Sequence, residues 1–486
     1  MEKTWQLYIN GRWVGAQNGK TFDVMNPATQ DVIAQVPDGG PTEAHAAVEA
    51  AASALGSWAR LPGVERGRLL AKTGQRMLER CDDLARLVTQ ENGKPLEEAR
   101  KEVAFAAGYF RWFAEEARRV YGAIVPAPVS QKRLWVLKQP LGVVAAITPW
   151  NFPATMVTRK IAPALAAGCP VVLKPASATP LTALALAEIL HEVGLPAGVV
   201  NVIVGKHSSP LAEVFVRQPQ VRKIAFTGST EVGKALMAQA ARQLKRVAFE
   251  LGGNAPFVVF EDADLREAIE GAAAIKFMRV AGQSCICANR LFVQESIAAR
   301  FIPAFIDRVR AIKVGDGLQP GVEVGPLINE ATLDKVERLV QDAVAKGAQV
   351  AIGGQRLRTR ELTKGWFYAP TVLLEVRDDM PVCQEEIFGP VAPVLTFRTE
   401  VELIARANAT TFGLASYVYT QEYARIIRLA EALEYGLVGV NDATGYTHEI
   451  PFGGFKESGL GREGGHEGLE EYLESKSIVL NMPQSS

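Results

Sequence analysis

Apolar positions along the chain change their spacing several times, and each change marks a change of element. Met1 to Val14 alternates polar and apolar residues, with Trp5, Leu7, Ile9 and Trp13 on the apolar side, which predicts a strand. From Thr42 to Val120 the spacing becomes helical; Ala44, Ala47, Val48, Ala51 and Leu55 mark one face, and a Trp58-to-Pro62 break ends that run. Between Val120 and Pro140 short β-prone runs, among them Leu134 to Leu137, are separated by Pro126 and Pro128, the pattern of a protruding hairpin.

The section from Leu141 to Phe260 alternates apolar strands with helical stretches at the spacing of βαβ units, which predicts a largely parallel sheet covered on both faces. Its strands are Val143 to Ile147, Val171 to Leu173, Val199 to Val204, Lys223 to Phe226 and Arg246 to Phe249. Ligands of such sheets bind beyond the carboxyl ends of the strands. After Glu261 a second α/β region begins, with a helix through Ala272 to Val280 and a strand at Leu291 to Val293, and it runs to about Val440. Gly453 to Gly468 is dense in glycine, and Tyr472 to Leu480 is again β-prone.

At 486 residues the chain exceeds the size at which one core stops growing, so two or three structural units are expected. Lys plus Arg equals Asp plus Glu at 53 each, which leaves no net field to attract nucleic acid or an anionic membrane. The most apolar stretch, Ile161 to Leu173, is broken by Pro163 and Pro170 and is shorter than the roughly 20 residues of a membrane helix, so no span is expected. The N-terminus lacks the charged start and apolar run of a secretory signal. Five cysteines, an odd number with one close pair, make no disulfide framework and fit a reducing cytoplasm. No Cys/His cluster has metal-ligand spacing, so no metal is expected.

Three segments carry candidate chemistry. Gly282-Gln283-Ser284-Cys285-Ile286-Cys287 is a glycine-opened turn presenting a cysteine; Phe249-Glu250-Leu251-Gly252-Gly253-Asn254 puts a carboxylate at a strand end; Thr148-Pro149-Trp150-Asn151-Phe152-Pro153 sets an amide between two prolines. Each alone has a bland explanation: a small buried hydrophobe, a surface acid, a turn.

Together with Leu173-Lys174-Pro175-Ala176-Ser177, Phe226-Thr227-Gly228-Ser229, Glu385-Glu386-Ile387-Phe388-Gly389-Pro390 and Pro451-Phe452-Gly453-Gly454-Phe455-Lys456, they resemble the aldehyde dehydrogenase superfamily over essentially the whole chain. The resemblance implies two doubly wound α/β domains and a small β oligomerisation arm. Residues 1–122 and 141–252 would form the Rossmann-like dinucleotide-binding domain and 253–440 the catalytic domain. Residues 123–140 and 453–486 would form the arm and C-terminal tail, and the assembly would be a homodimer or homotetramer.

An aldehyde carbon becomes a good hydride donor once a nucleophile makes it tetrahedral, and a thiolate suits that step. The resemblance gives this role to Cys285. A free thiol has a pKa of about 8.5, so a base or helix-end field is expected to raise its thiolate fraction. Asn151 and the Cys285 backbone N–H would hold the substrate oxygen. Glu250 would activate the water that hydrolyses the thioester, which argues against relatives that pass the acyl group to coenzyme A.

No Gly-x-Gly-x-x-Gly fingerprint follows the first strand of the nucleotide region; Gly228-Ser229-Thr230-Glu231-Val232-Gly233 has other spacing, although glycines entering a helix can still face a pyrophosphate. The resemblance places Gly228 and Ser229 at the phosphates, Trp150, Asn151 and Leu251 along the cofactor, and Glu386 and Phe388 beside the nicotinamide ribose. NAD-preferring relatives commonly carry glutamate at the position of Ser177. Serine removes that repulsion of a 2′-phosphate and Lys174 adds attraction, so NADP is expected ahead of NAD.

The sequence is most similar to the succinate-semialdehyde dehydrogenase branch, whose matching arginines, here Arg159 and Arg279, hold the remote carboxylate; isolated arginines are by default structural or surface ion pairs. Tyr446-Thr447-His448 replaces the branch's small serine-containing loop. Tyr446 is therefore a candidate substrate contact, and glutarate or 2-oxoglutarate semialdehyde or an aliphatic or aromatic aldehyde remains an alternative. His448 reads as a solvated loop histidine. Cys287 suggests a redox switch with Cys285, against the strain of so small a ring. A thiol esterase or hydrolase is the alternative of a different class.

Overall fold

The computed structural model of the protein describes residues 4–359 and 362–482. Met1 to Lys3 of the N-terminal run and the last four residues of the tail lie outside the described residues. Among these, eight strands form one sheet in the order Gly459–Leu460, Arg246–Glu250, Val221–Thr227, Val143–Ile147, Val171–Lys174, Val200–Val202, Leu7–Ile9, Arg12–Val14. The five strands from Arg246–Glu250 to Val200–Val202 pair in parallel, and antiparallel strands close both edges.

These strands run within one or two residues of the spans expected from the apolar runs, because strands buried on both faces are continuously apolar. The N-terminal alternation is not one strand. Asn10 and Gly11 take left-handed φ of 51° and 72°, the geometry of a two-residue hairpin turn, and split it into Leu7–Ile9 and Arg12–Val14.

A second sheet orders Gln349–Ile352, Thr371–Leu374, Val391–Phe397, Ala288–Gln294, Ala255–Val259, Ala415–Tyr419 and Leu437–Val440, all parallel but the first pair. Each sheet has its own apolar core. The helical stretch after Thr42 is four helices, Pro41–Arg60, Gly63–Glu79, Cys81–Asn92 and Leu96–Glu116. A separate three-stranded sheet joins Ala123–Val125 and Lys132–Pro140 to Leu473–Asn481. No helix among the described residues is long and apolar enough to cross a membrane.

The helix expected from Ala272 to Val280 differs in kind. An α-helix ends at Ala273, a π-turn covers Ala274–Met278, and Val280, Ala281 and Gly282 then take φ of 48°, 52° and 75°. A β-branched residue there costs about 1–3 kcal/mol and persists only where its surroundings hold it.

Candidate active site

The first sheet reverses its winding between Val143–Ile147 and Val221–Thr227: from the former the chain proceeds outward to one side, then returns to add strands on the other. The crevice at such a reversal is where doubly wound sheets bind ligands. Here it opens into a cavity of about 260 Å³ lined by Trp150, Asn151, Thr227, Gly228, Ser229, Glu250, Leu251, Cys285, Glu386 and Phe388, among others. The loop after Val143–Ile147 supplies Trp150 and Asn151, and the turn after Val221–Thr227 supplies Gly228 and Ser229.

Ser229 caps the helix Thr230–Ala240, its Oγ accepting from the Val232 N–H at 3.4 Å, so backbone donors and the positive helix end face the cavity. Thr227 Oγ1 is buried there without a partner. Glu386 accepts from the Gly253 N–H at 3.0 Å, and burial pushes its carboxyl up to about 7. Phe388 meets Trp150 edge-on at 5.5 Å. Lys174 and Ser177 do not line this cavity. Lys174 ends the neighbouring strand in register with Ile147, its Nζ donates to Ser208 Oγ at 2.6 Å, and burial pulls it down to about 8.

Cys285 follows the strained turn. Glu98 accepts from the Val280 N–H at 2.9 Å, and the Gln283 side chain bridges the Val280 carbonyl and the Ile328 N–H at 2.9 Å each. Asn151 Nδ2 donates to the Gln283 carbonyl at 3.0 Å, which ties the amide to the cysteine loop. A Cβ on Gly253 would sit 2.1 Å from the Cys285 carbonyl oxygen, so this glycine serves close approach of the two loops.

The electrostatics differ from expectation. No helix end or cation frees the thiolate; burial and the Glu250 carboxylate push the Cys285 thiol well up. Glu250 itself, raised by burial and by Glu463, stands at about 7. Its carboxyl faces the Cys285 thiol, and Asn151 Oδ1 is buried without a hydrogen-bond partner. The site therefore holds a protonated thiol beside an acid poised to accept its proton near neutral pH. Cys285 and Cys287 are both free thiols, and Cys287 is buried with Lys276 Nζ donating to its Sγ at 3.4 Å.

Beyond Asn151 and Phe152 lies a second cavity of about 330 Å³ lined by Glu98, Phe105, Phe152, Arg279 and Tyr446, among others. Arg159 is fully buried: Nε donates to Tyr109 Oη at 2.9 Å, Nη1 lies 3.5 Å from Glu463, and the Phe452 ring stands 4.2 Å from its guanidinium carbon. Arg279 donates to Tyr446 Oη at 2.7 Å and faces the Phe152 ring at 4.8 Å. The Tyr446 ring lies near both guanidinium groups, 5.8 Å from Arg159 and 5.3 Å from Arg279. Arg159 Nη2 and Arg279 Nε are buried without hydrogen-bond partners, and Arg159 Nη1 has the Glu463 carboxylate at ion-pair distance. Neither arginine is a surface ion pair.

His448 is not solvated. It is half-buried, stacked on Phe105 at 4.2 Å, and hydrogen-bonded to the Phe105 carbonyl at 2.7 Å.

Several residues that build the site gave no sequence signal. Lys94 and Glu102, a buried pair 2.5 Å apart, hold the Asn151 loop: Lys94 donates to the Asn151 carbonyl at 2.8 Å, and Glu102 accepts from the Ala154 and Thr155 N–H groups. Their spacing looks like any helical charge pattern. Glu463, in the glycine-dense tail, pairs with Lys160 at 2.5 Å.

The aldehyde dehydrogenase family model matches residues 13–478 of the chain. The chain is 50% identical over 477 residues to the NADP(+) succinate-semialdehyde dehydrogenase GabD of Escherichia coli (strain K12), covering 98% of each protein. It is equally similar, 50% over 477 residues and 98% of each, to a glutarate-semialdehyde dehydrogenase of Pseudomonas putida. A crystal structure of betaine aldehyde dehydrogenase from Staphylococcus aureus in complex with NAD+ superposes with a TM-score of 0.97 at 39% identity, over 99% of this chain and 96% of that one.

Proposed function

The chain belongs to the aldehyde dehydrogenase family, and from that premise we propose that it oxidises an aldehyde bearing a remote carboxylate to the free acid, with NADP or NAD as hydride acceptor. The observation that carries the substrate class is the pair of buried guanidinium groups, of which Arg159 Nη2 and Arg279 Nε have no hydrogen-bond partner. Such groups are costly to leave unmatched, and a carboxylate matches them. The bulk of the Tyr446 ring near both guanidinium groups supports a short carbon chain, succinate semialdehyde ahead of its five-carbon homologue.

The cavity residues fit the cofactor. Gly228, Ser229 and the helix end would hold the pyrophosphate, Trp150 and Leu251 would flank it, and Glu386 and Phe388 would meet the nicotinamide ribose; Lys174 and Ser177, outside the cavity at the end of the neighbouring strand, would meet the adenosine ribose. Cys285 Sγ attacks the aldehyde carbon as its proton passes to Glu250. The negative charge reaching the substrate oxygen meets the Asn151 amide and the Cys285 N–H. The bound nicotinamide supplies the acceptor for the hydride that leaves the substrate carbon, and Cys285 is left as a thioester. Once the thiol's proton has passed from Glu250 to solvent, the carboxylate takes a proton from water, whose oxygen attacks the thioester carbon; the Cys285 sulfur leaves as a thiolate and recovers its proton from Glu250.

The arm carries Ile124, 82% exposed, with Trp135, Leu137 and Val479 also open. An apolar face of this kind marks an interaction site, and we assign it to a second copy of the chain, in a homodimer or homotetramer. Five free cysteines support a cytoplasmic location.

The test is a kinetic panel of succinate semialdehyde, glutarate semialdehyde, butanal and benzaldehyde, each with NADP and NAD, read at the nicotinamide absorbance band. Succinate semialdehyde is expected to exceed butanal in kcat/KM by about 10²-fold, the scale of a desolvated charge pair of roughly 3 kcal/mol. Equal rates on charged and uncharged aldehydes would overturn the substrate reading. Ester turnover without nicotinamide reduction would overturn the dehydrogenase.

A further inference from the structure

Tyr446 and His448 both come from residues 441–450, a stretch with no helix or strand to fix its shape. Side chains on such a loop are placed only by what they pack against. Tyr446 alone does not anchor it, since its hydroxyl is held by Arg279, itself on the strained turn beside the nucleophile.

His448 is bound to a rigid element. Its Nε2 lies 2.7 Å from the carbonyl oxygen of Phe105, inside the helix Leu96–Glu116. A carbonyl only accepts, so Nε2 carries the proton. The imidazole stacks on the Phe105 ring at 4.2 Å and meets Tyr109 edge-on at 4.7 Å. It also lodges over Gly108, where a Cβ would lie 2.3 Å from its Cε1. Helix and loop are matched: a glycine notch on one receives an aromatic ring from the other.

The two rings that His448 touches lead to the two arginines. Tyr109 Oη accepts from Arg159 Nε at 2.9 Å. Phe105 meets the edge of Tyr446 at 5.1 Å, and Tyr446 Oη accepts from Arg279. A side chain that touches neither arginine thus borders the immediate supports of both.

We propose that His448 is a positioning residue that sets selectivity for aldehydes bearing a remote anion, by pinning the 441–450 loop to the helix Leu96–Glu116 so that Tyr446 is held beside Arg159 and Arg279. The proposal rests on the reading that these arginines receive the substrate's carboxylate. It assigns His448 no contact with the reacting carbon or the cofactor. Loss of the pin loosens the anion-binding end and leaves Cys285, Glu250 and Asn151 in place, so its mark is a raised KM for acid-bearing aldehydes with unchanged turnover of uncharged ones.

The test is steady-state kinetics of the full-length protein with NADP, on succinate semialdehyde and on butanal, for the wild type, His448→Ala and Gly108→Ala. The glycine variant displaces the imidazole from the other side of the contact. Both are expected to raise KM for succinate semialdehyde about tenfold, with kcat for that substrate and kcat/KM for butanal within about twofold of wild type. Wild-type preference for the semialdehyde combined with a His448→Ala variant that impairs both substrates equally, or neither, would overturn the proposal and leave the arginine reading standing. A wild type with no preference for the semialdehyde would overturn the arginine reading, and the proposal with it.

Discussion

The two ends of the site are charged in opposite senses. Around Cys285 the group that faces the thiol is the Glu250 carboxylate. Around Tyr446 stand the guanidinium groups of Arg159 and Arg279, with Glu463 3.5 Å from Arg159 Nη1 and Glu98 beside Arg279. A carboxylate can take a proton from a thiol or a water, and a pair of guanidinium groups can hold a compact anion.

The largest effect should come from the acceptor end. Glu250→Gln keeps the shape and removes the proton acceptor, and should lower kcat by about 10² to 10⁴-fold on every aldehyde, charged or not. A loss confined to acid-bearing substrates would erase the distinction between the two ends.

Arg159→Ala should act chiefly on the other end, since the Arg159 charge also reaches Glu250 and Cys285 and holds both down a little. It should cost about 10²-fold in kcat/KM for succinate semialdehyde and little for butanal. Parallel losses on both would make Arg159 a structural ion pair of Glu463.

A pH profile sharpens the comparison further. Glu250 is protonated below about 7 and cannot accept a proton there, so kcat should rise about tenfold per unit as pH climbs towards 7 and level off above it. The rising limb should vanish in Glu250→Gln and survive in Arg159→Ala, since a guanidinium does not titrate in that range.

The smallest effect concerns the cofactor. Lys174, pulled down to about 8 by burial, is charged below that pH and neutral above it. Its attraction for a 2′-phosphate should therefore fade as pH passes 8, raising KM for NADP a few-fold and leaving KM for NAD flat. Lys174→Ala should show the weakened NADP affinity at all pH values.

Legibility in the sequence also divided between the two ends. Cys285, Glu250 and Asn151 sit in segments whose glycines and prolines mark strand ends, and the cavity gathers all three. The parallel strands were readable because burial on both faces makes them continuously apolar. Arg159 and Arg279, by contrast, are 120 residues apart and were linked only through the family resemblance. The strand Gly459–Leu460, which pairs with Glu250 in the first sheet, left no apolar pattern at all: it is two residues long, and its glycine is required because a Cβ there would sit 2.2 Å from the Phe249 carbonyl oxygen. The expected thiolate failed for a related reason: spacing reveals neighbours in sequence, whereas the desolvation and the carboxylate that raise the Cys285 thiol arise only in the folded site.

The central claim is that Cys285 carries the acyl group and Glu250 releases it. Its most direct measurement is intact-protein and peptide mass spectrometry of Glu250→Gln after mixing with succinate semialdehyde and NADP. The account predicts one equivalent of NADPH, formed more slowly than in the wild type because the thiol has also lost its proton acceptor, and a succinyl mass held on the peptide at Cys285 with no further turnover. NADPH formed without that adduct, or an adduct at Cys287, would contradict it.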